Sequence, residues 1–141
     1  MTPDLIAQVM NDLVPFHRFL GLRVEEVRAG YTRVVMPFRP EFIGDPTREA
    51  LHGGIAATLA DTAGGIAVWT AVQAAESRVS TIDLRVDYLS RGKPEDLVAV
   101  STLIRVGSKH GVADVRLFHD SNPDELVASA RGVYNVFIKS R

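Results

Sequence analysis

Asp61 lies near the middle of an apolar run, GIAATLADTAGGIAVWTAV over residues 54–72, and carries the only formal charge in it. Small and aliphatic residues occupy every side of a helix drawn through the run, and a helix apolar all round is expected to be buried all round. An ionised carboxylate there costs several kcal/mol or changes its pKa unless partners compensate it. Thr58, Asp61, Thr62 and Gly65 follow at i, i+3, i+4 and i+7, so they share one narrow polar face. Two readings stand side by side: a structural acid bonded to neighbouring hydroxyls, or a base or nucleophile facing a ligand. Gly64 and Gly65 bear on the choice, because each costs about 1 kcal/mol relative to Ala inside a helix. Close approach of a ligand, in a slot suited to an acyl chain, would offset that cost. Tight helix-to-sheet or subunit packing would use the same glycines.

His52-Gly53-Gly54 stands where a loop meets the start of this helix. The first amides of a helix have no internal partner and point outward with the positive end of the macrodipole. Such amides can hold a developing oxyanion, and glycine lets a carbonyl come close. Taken alone, two glycines after a loop more often mark a plain turn. Asp61 lies about two turns further on, about 10 Å along the axis from the first amides. One copy of the chain therefore cannot bring both groups to one atom, and a bent ligand or a second copy must span the gap.

Composition narrows the partners. The formal net charge of the 141 residues is -1, with no Lys/Arg cluster interleaved with aromatics, which gives a nucleic acid no electrostatic footprint. The longest apolar stretch, residues 54–75, is rich in Gly, Ala and Thr and holds Asp61, so it does not read as a membrane span. The acidic, amphipathic start MTPDLIAQVMNDL is unlike a secretory signal. There are no cysteines, which excludes disulfides and thiolate chemistry, and no Cys/His cluster suggests a metal. A cytoplasmic location is the expectation.

Leu5, Ile6, Val9, Met10 and Leu13 predict a short amphipathic helix over residues 3–14, ending before Pro15. Residues 20–28 and 31–38 read as strands joined at Ala29-Gly30, followed by a Pro- and Gly-punctuated loop to the long helix. In TIDLRVDYL, Ile82, Leu84, Val86 and Tyr88 alternate with Thr81, Asp83, Arg85 and Asp87, the period of a half-buried strand. Strict alternation turns Thr81 away from its own helix. Residues 96–106, 112–119 and 126–138 supply three more strands, with Gly107 to Gly111 as a hairpin connection. The expectation is an α+β chain, one domain over residues 1–141, with an antiparallel sheet packed on one long helix. His17, His110 and His119 read as surface histidines, and Trp69 as core or interface.

His52-Gly53-Gly54, then Leu59-Ala60-Asp61-Thr62, then Ser80-Thr81-Ile82-Asp83-Leu84 with Asp87-Tyr88-Leu89, resembles the PaaI-like branch of the hotdog acyl-CoA thioesterases, in the hydroxybenzoyl-CoA thioesterase superfamily. The likeness runs from about Leu20 to Phe137. It implies a five- to six-stranded antiparallel sheet wrapped around the central helix, a short N-terminal helix, and assembly as a homodimer or homotetramer. It implies hydrolysis of an acyl-CoA to free acid and coenzyme A, with no cofactor or metal, coenzyme A being part of the substrate. Residue by residue, Asp61 falls at the nucleophile or general-base position and Gly53 where a backbone amide polarises the carbonyl. His52 shapes that turn, and Thr81 falls at a Ser/Thr position offered by the partner subunit. Gly54, Thr62 and Gly65 would line the substrate cleft. Tyr88, Leu89, Ser90, Arg91, Gly92 and Lys93, with Arg105, Val106, Gly107, Ser108, Lys109 and His110, match the segments that hold coenzyme A, where cations suit phosphates.

One departure stands out. Six residues before His52 the family often carries Asn or Gln, and this chain has Pro46, beside Asp45. Two alternatives stay open: an acyl-CoA-binding module without turnover, and a hotdog hydratase or dehydratase, whose chemistry wants a histidine facing the acid.

Overall fold

A computed structural model of the chain describes residues 2–72, 74 and 76–139. Gln73 and Ala75 at the end of the apolar stretch, and Met1, Ser140 and Arg141, lie outside the described residues. Helix α1, Pro3–Asp12, opens on the Thr2 hydroxyl, which accepts from the Leu5 amide at 3.2 Å, and has Pro3 in its first turn. A second helix, α2, Pro15–Leu20, was not anticipated. Pro15 ends α1 but also begins α2, because an N1 proline has a favourable φ and no amide to satisfy. Gly21, at φ +76°, closes it in the left-handed region. The strand read as 20–28 is accordingly shorter, β1, Arg23–Arg28.

Strand β2, Tyr31–Met36, follows the turn, where Gly30 adopts φ +74°. The loop expected next carries a 3-10 turn, Pro40–Phe42, and a small hairpin of β3, Ile43–Asp45, and β4, Ala50–Leu51. Then come α3, Gly53–Ala71, and the strands β5, Ser77–Tyr88; β6, Leu97–Val106; β7, His110–His119; and β8, Asn122–Ile138. The large sheet is antiparallel with the order β1-β2-β6-β7-β8-β5. No helix of the described residues is long and apolar enough to cross a membrane.

The sheet folds about α3. Leu59, Ala60, Ala63 and Ile66 pack on Val34, Met36, Leu97, Ala99, Val115, Leu117 and Ala128, nearly all fully buried. A second cluster joins Ala67, Val68 and Val72 to Ala113, Tyr134 and Val136. The many alanines let strand backbones lie close to the helix, so dispersion contacts accumulate without large side chains. The helix is not buried all round, however. Thr58, Asp61, Thr62, Gly65 and Trp69 remain partly open along one side. Its even apolarity hid that side, because alanines, threonines and glycines do not mark a face.

The strand holding Thr81 also departs from simple alternation. The β5–β8 register slips between Thr81 and Asp83, leaving Ile82 as a bulged residue, 54% exposed. A bulge inserts one residue and reverses which parity faces the core. Thr81 therefore turns toward its own helix, not away from it, while Leu84 and Val86 stay inward.

Candidate active site

Asp61 sits in the third turn of α3 on the partly open side. Its Oδ1 accepts a hydrogen bond of 2.7 Å from Thr81 Oγ1, so the hydroxyl expected from a partner subunit is supplied in the same chain. Oδ2 has no protein partner among the described residues, and no cation pairs with the carboxylate. The carboxylate opens on a cavity of about 430 Å³ whose apolar walls include Met10, Val14, Ile66, Trp69 and Val79. Thr62 and Gly65 also line it. An acid with one oxygen fixed by a hydroxyl and the other open to a mostly apolar hollow can take a proton from water or attack a carbonyl carbon.

Below Asp61 lies a residue that the sequence reading missed. Tyr134 is 1% exposed, and its hydroxyl donates to the Asp61 carbonyl oxygen at 3.0 Å. Burial, reinforced by the charge of Asp61, pushes the phenol well above its ordinary pKa, so it stays a donor. A Cβ on Gly64 or on Gly132 would come within 2.3 Å of this hydroxyl. Those glycines make room for a tyrosine ring; Gly65, whose Cβ would lie 3.4 Å from the ring, borders the cavity instead. The packing explanation thus holds for Gly64 and the open slot for Gly65. Gly132 two residues before Tyr134, on one face of a strand, was the available signal.

At the start of α3, His52 caps the helix with its side chain: Nδ1 accepts from the Gly54 amide at 2.8 Å. The Gly54 amide is therefore engaged, and that residue is not a free donor to substrate. The Gly53 amide has no acceptor among the described residues. The Tyr88 hydroxyl donates to the Gly53 carbonyl at 2.7 Å, bracing this first turn. Gly53 faces a second cavity, about 350 Å³, together with Tyr88, Leu89, Ser90, Arg91 and Gly92. Lys93 lies just beyond, its amide donating to His119 Nε2 at 2.9 Å.

Within one chain these groups do not converge. Gly53 and Asp61 open on different cavities. The hairpin Arg105, Val106, Gly107, Ser108, Lys109 and His110 lies at the other end of α3, where Gly111 closes on Val68; the Tyr88–Lys93 turn closes on Leu51 and Gly53. Fifteen residues of helix, about 22 Å, separate those ends.

Two histidines expected at the surface are buried. His119, 4% exposed, bridges the Lys93 amide and the Asp96 carbonyl (2.9 Å each), which fixes Nδ1 as its donor. His17, 9% exposed, bonds through Nδ1 to the Met10 carbonyl and lines the Asp61 cavity. The short α2, invisible to periodicity, carries it inward. His110 is exposed as expected. Trp69 lines the Asp61 cavity and donates from Nε1 to Ser77 Oγ at 3.0 Å. Asp45, beside Pro46, is tied into its own turn: Thr47 and then Arg48 hydrogen-bond the carboxylate and hold it down at about 2. It does not substitute for a side-chain amide at that place. Among the described residues no group of three or more His, Asp or Glu is gathered to hold a metal ion.

Comparison with known proteins agrees with this architecture. The model of the Thioesterase superfamily matches residues 49–125. An Escherichia coli protein, medium/long-chain acyl-CoA thioesterase YigI, is 34% identical over 145 aligned positions, covering 94% of this chain and 92% of its own. A Halobacterium salinarum protein, provisionally named an esterase, is 42% identical over 84% of this chain and 82% of its own. Among solved structures, a thioesterase-superfamily protein superposes with a TM-score of 0.83 at 34% identity, covering 93% of this chain and 96% of that one. The Escherichia coli PaaI protein superposes with 0.82 at 22% identity, covering 94% and 91%, a likeness of fold. The chain belongs to the thioesterase superfamily and has the hotdog fold of its PaaI-like members.

Proposed function

We propose that the protein hydrolyses an acyl-CoA thioester to the free acid and coenzyme A, with Asp61 as nucleophile or general base and the Gly53 amide as oxyanion donor. The observation that carries this reading is the Asp61 carboxylate, fixed at Oδ1 by Thr81 and open at Oδ2 to an apolar-walled cavity. The Gly53 amide stabilises the oxygen of the attacked carbonyl, and coenzyme A leaves as a thiolate. The 34% identity to an acyl-CoA thioesterase along nearly the whole chain supports this substrate class. A cytoplasmic location goes with it.

The separation of Gly53 from Asp61 supports a site shared between two copies. Strand β5 is twelve residues long and has one unpaired edge. Two-fold pairing of that edge with its own copy runs the two α3 helices antiparallel, so the start of one lies beside the end of the other. Gly53 and the Tyr88–Lys93 turn of one copy would then meet Asp61 and the Arg105–His110 hairpin of its partner.

Thiol release from a panel of acyl-CoAs tests the activity. Mixing two inactive variants, Asp61→Ala and Gly53→Pro, tests the sharing, since proline removes the amide yet suits an N1 position. Random re-pairing leaves about one site in four intact in a shared-site dimer. No recovery from co-refolded chains would refute the sharing. Pro46 keeps a binding module in view, and it predicts tight acyl-CoA binding with no thiol released. The lyase alternative draws on His17, which shares the cavity of Asp61. It predicts hydration of an enoyl thioester with the thioester left intact.

A further inference from the structure

His17 is a buried side chain that the proposed hydrolysis leaves unused. Its Nδ1 lies 2.9 Å from the Met10 carbonyl oxygen. A carbonyl can only accept, so Nδ1 carries the proton and Nε2 of the neutral ring is left as an acceptor. Nε2 has no protein partner among the described residues. It is not sealed away either, because among those residues Arg39 Nε is the one fully enclosed side-chain nitrogen or oxygen without a hydrogen-bond partner. The open space that this ring borders is the Asp61 cavity, where its neighbours include Met10, Val14, Ile66 and Val79. The nearby indole N–H of Trp69 is already given to Ser77.

The cavity also carries Asp61, Thr62, Ser77, Arg78, Ser80 and Thr81, but a wetted acceptor such as Nε2 is still poorly matched to a bare methylene chain, which displaces its water and returns no hydrogen bond. A chain bearing a hydroxyl returns that bond. We propose that His17 Nε2 accepts a hydrogen bond from a hydroxyl on an aliphatic acyl chain, so that hydroxylated acyl-CoAs are preferred over their plain counterparts. The assignment rests on the thioesterase reading of the Asp61 cavity. The aliphatic class rests on relatives named for medium- and long-chain substrates, and Met10, Val14, Ile66 and Val79 supply aliphatic wall beside the aromatic Trp69 and Tyr134. A site that hydrogen-bonds a substrate hydroxyl discriminates against the analogue lacking it. One neutral acceptor in a half-open site sets that preference at about three- to tenfold.

Asparagine and glutamine separate recognition from structure. In His17→Asn the amide nitrogen takes the place of Nδ1, keeping the Met10 bond and presenting nothing to the cavity. In His17→Gln the amide oxygen can reach the place of Nε2, while the Met10 bond is lost. The test is the ratio of kcat/KM for hydroxydecanoyl-CoA isomers to that for decanoyl-CoA. The wild type should favour at least one isomer about three- to tenfold, His17→Asn should bring the ratio near one, and His17→Gln should retain part of it. No preference for any isomer, or a preference surviving in His17→Asn, overturns the proposal while leaving the thioesterase reading intact. If no substrate is hydrolysed, that reading fails instead. The same ratio is then measured as Kd for non-hydrolysable thioether analogues, and equal ratios in wild type and His17→Asn overturn the recognition role.

Discussion

Adjacent glycines in α3 should respond in opposite directions to the same change. A Cβ on Gly64 would lie 2.3 Å from the Tyr134 hydroxyl, far inside contact distance, so the buried ring or the helix must shift to admit it. Overpacking of this kind costs about 1–3 kcal/mol, and displacing Tyr134 forfeits its bond to the Asp61 carbonyl, about 1 kcal/mol. Alanine returns roughly 1 kcal/mol through helix propensity. Gly64→Ala should therefore be destabilised by about 1–3 kcal/mol, lowering Tm by roughly 3–10 °C for a chain of this size. At Gly65 the added methyl makes an ordinary 3.4 Å contact, so the propensity gain survives. Gly65→Ala should melt about 2–4 °C higher, yet show a raised KM, because the methyl projects into the Asp61 cavity. Thermal unfolding of both variants, with Tyr134→Phe added to Gly64→Ala, makes the test complete. Removing the hydroxyl leaves the nearest ring atom 3.1 Å away, so the double variant should recover part of the loss. A Gly64→Ala protein as stable as wild type, or one that Tyr134→Phe does not relieve, would refute the packing argument.

Three further outcomes follow from the same geometry. Thr81→Val keeps the shape and removes the bond to Asp61 Oδ1; it should lower kcat about tenfold with little change in KM, measured by thiol release. His119→Phe leaves the Lys93 amide and Asp96 carbonyl unpaired in a part-buried place. It should destabilise the chain by about 2–4 kcal/mol in denaturant unfolding. Asp45 is held down at about 2 in the folded state, below its ordinary 3.8. Its contribution to the Asp45–Arg48 turn is thus fully present above about pH 4 and fades as the pH falls toward 2. The protection of the Thr47 amide, its exchange rate relative to the intrinsic rate at the same pH, should fall over that window and stay level above it.

Much of the site was legible because its chemistry contradicts its surroundings. An aspartate amid alanines, and glycines at a helix start, each left a structural and a chemical reading open, and both led to groups that border cavities. The four C-terminal strands were legible from alternation and turn residues. What was hidden depends on local breaks in those patterns. The bulge at Ile82 inverts the facing of Thr81, and nothing in TIDLRVDYL distinguishes a bulged isoleucine from an alternating one. Helix α2 spans six residues, too short for a period, so Pro15 showed only its capacity to stop a helix. Burial of His17 and His119 depends on partners distant in sequence or on that unseen helix. The depth of Tyr134 depends on two glycines, of which Gly64 lies 70 positions away, a relation that only folding reveals.

Asp61→Asn provides the most direct trial of the central claim. Asparagine keeps the size of the side chain and an oxygen to accept from Thr81, and removes only the charge that could activate water or attack a thioester. With a good acyl-CoA substrate, kcat should fall by about 10²–10⁴-fold at a Tm close to that of wild type. A folded Asp61→Asn protein that releases thiol within a few-fold of the wild-type rate would contradict the account.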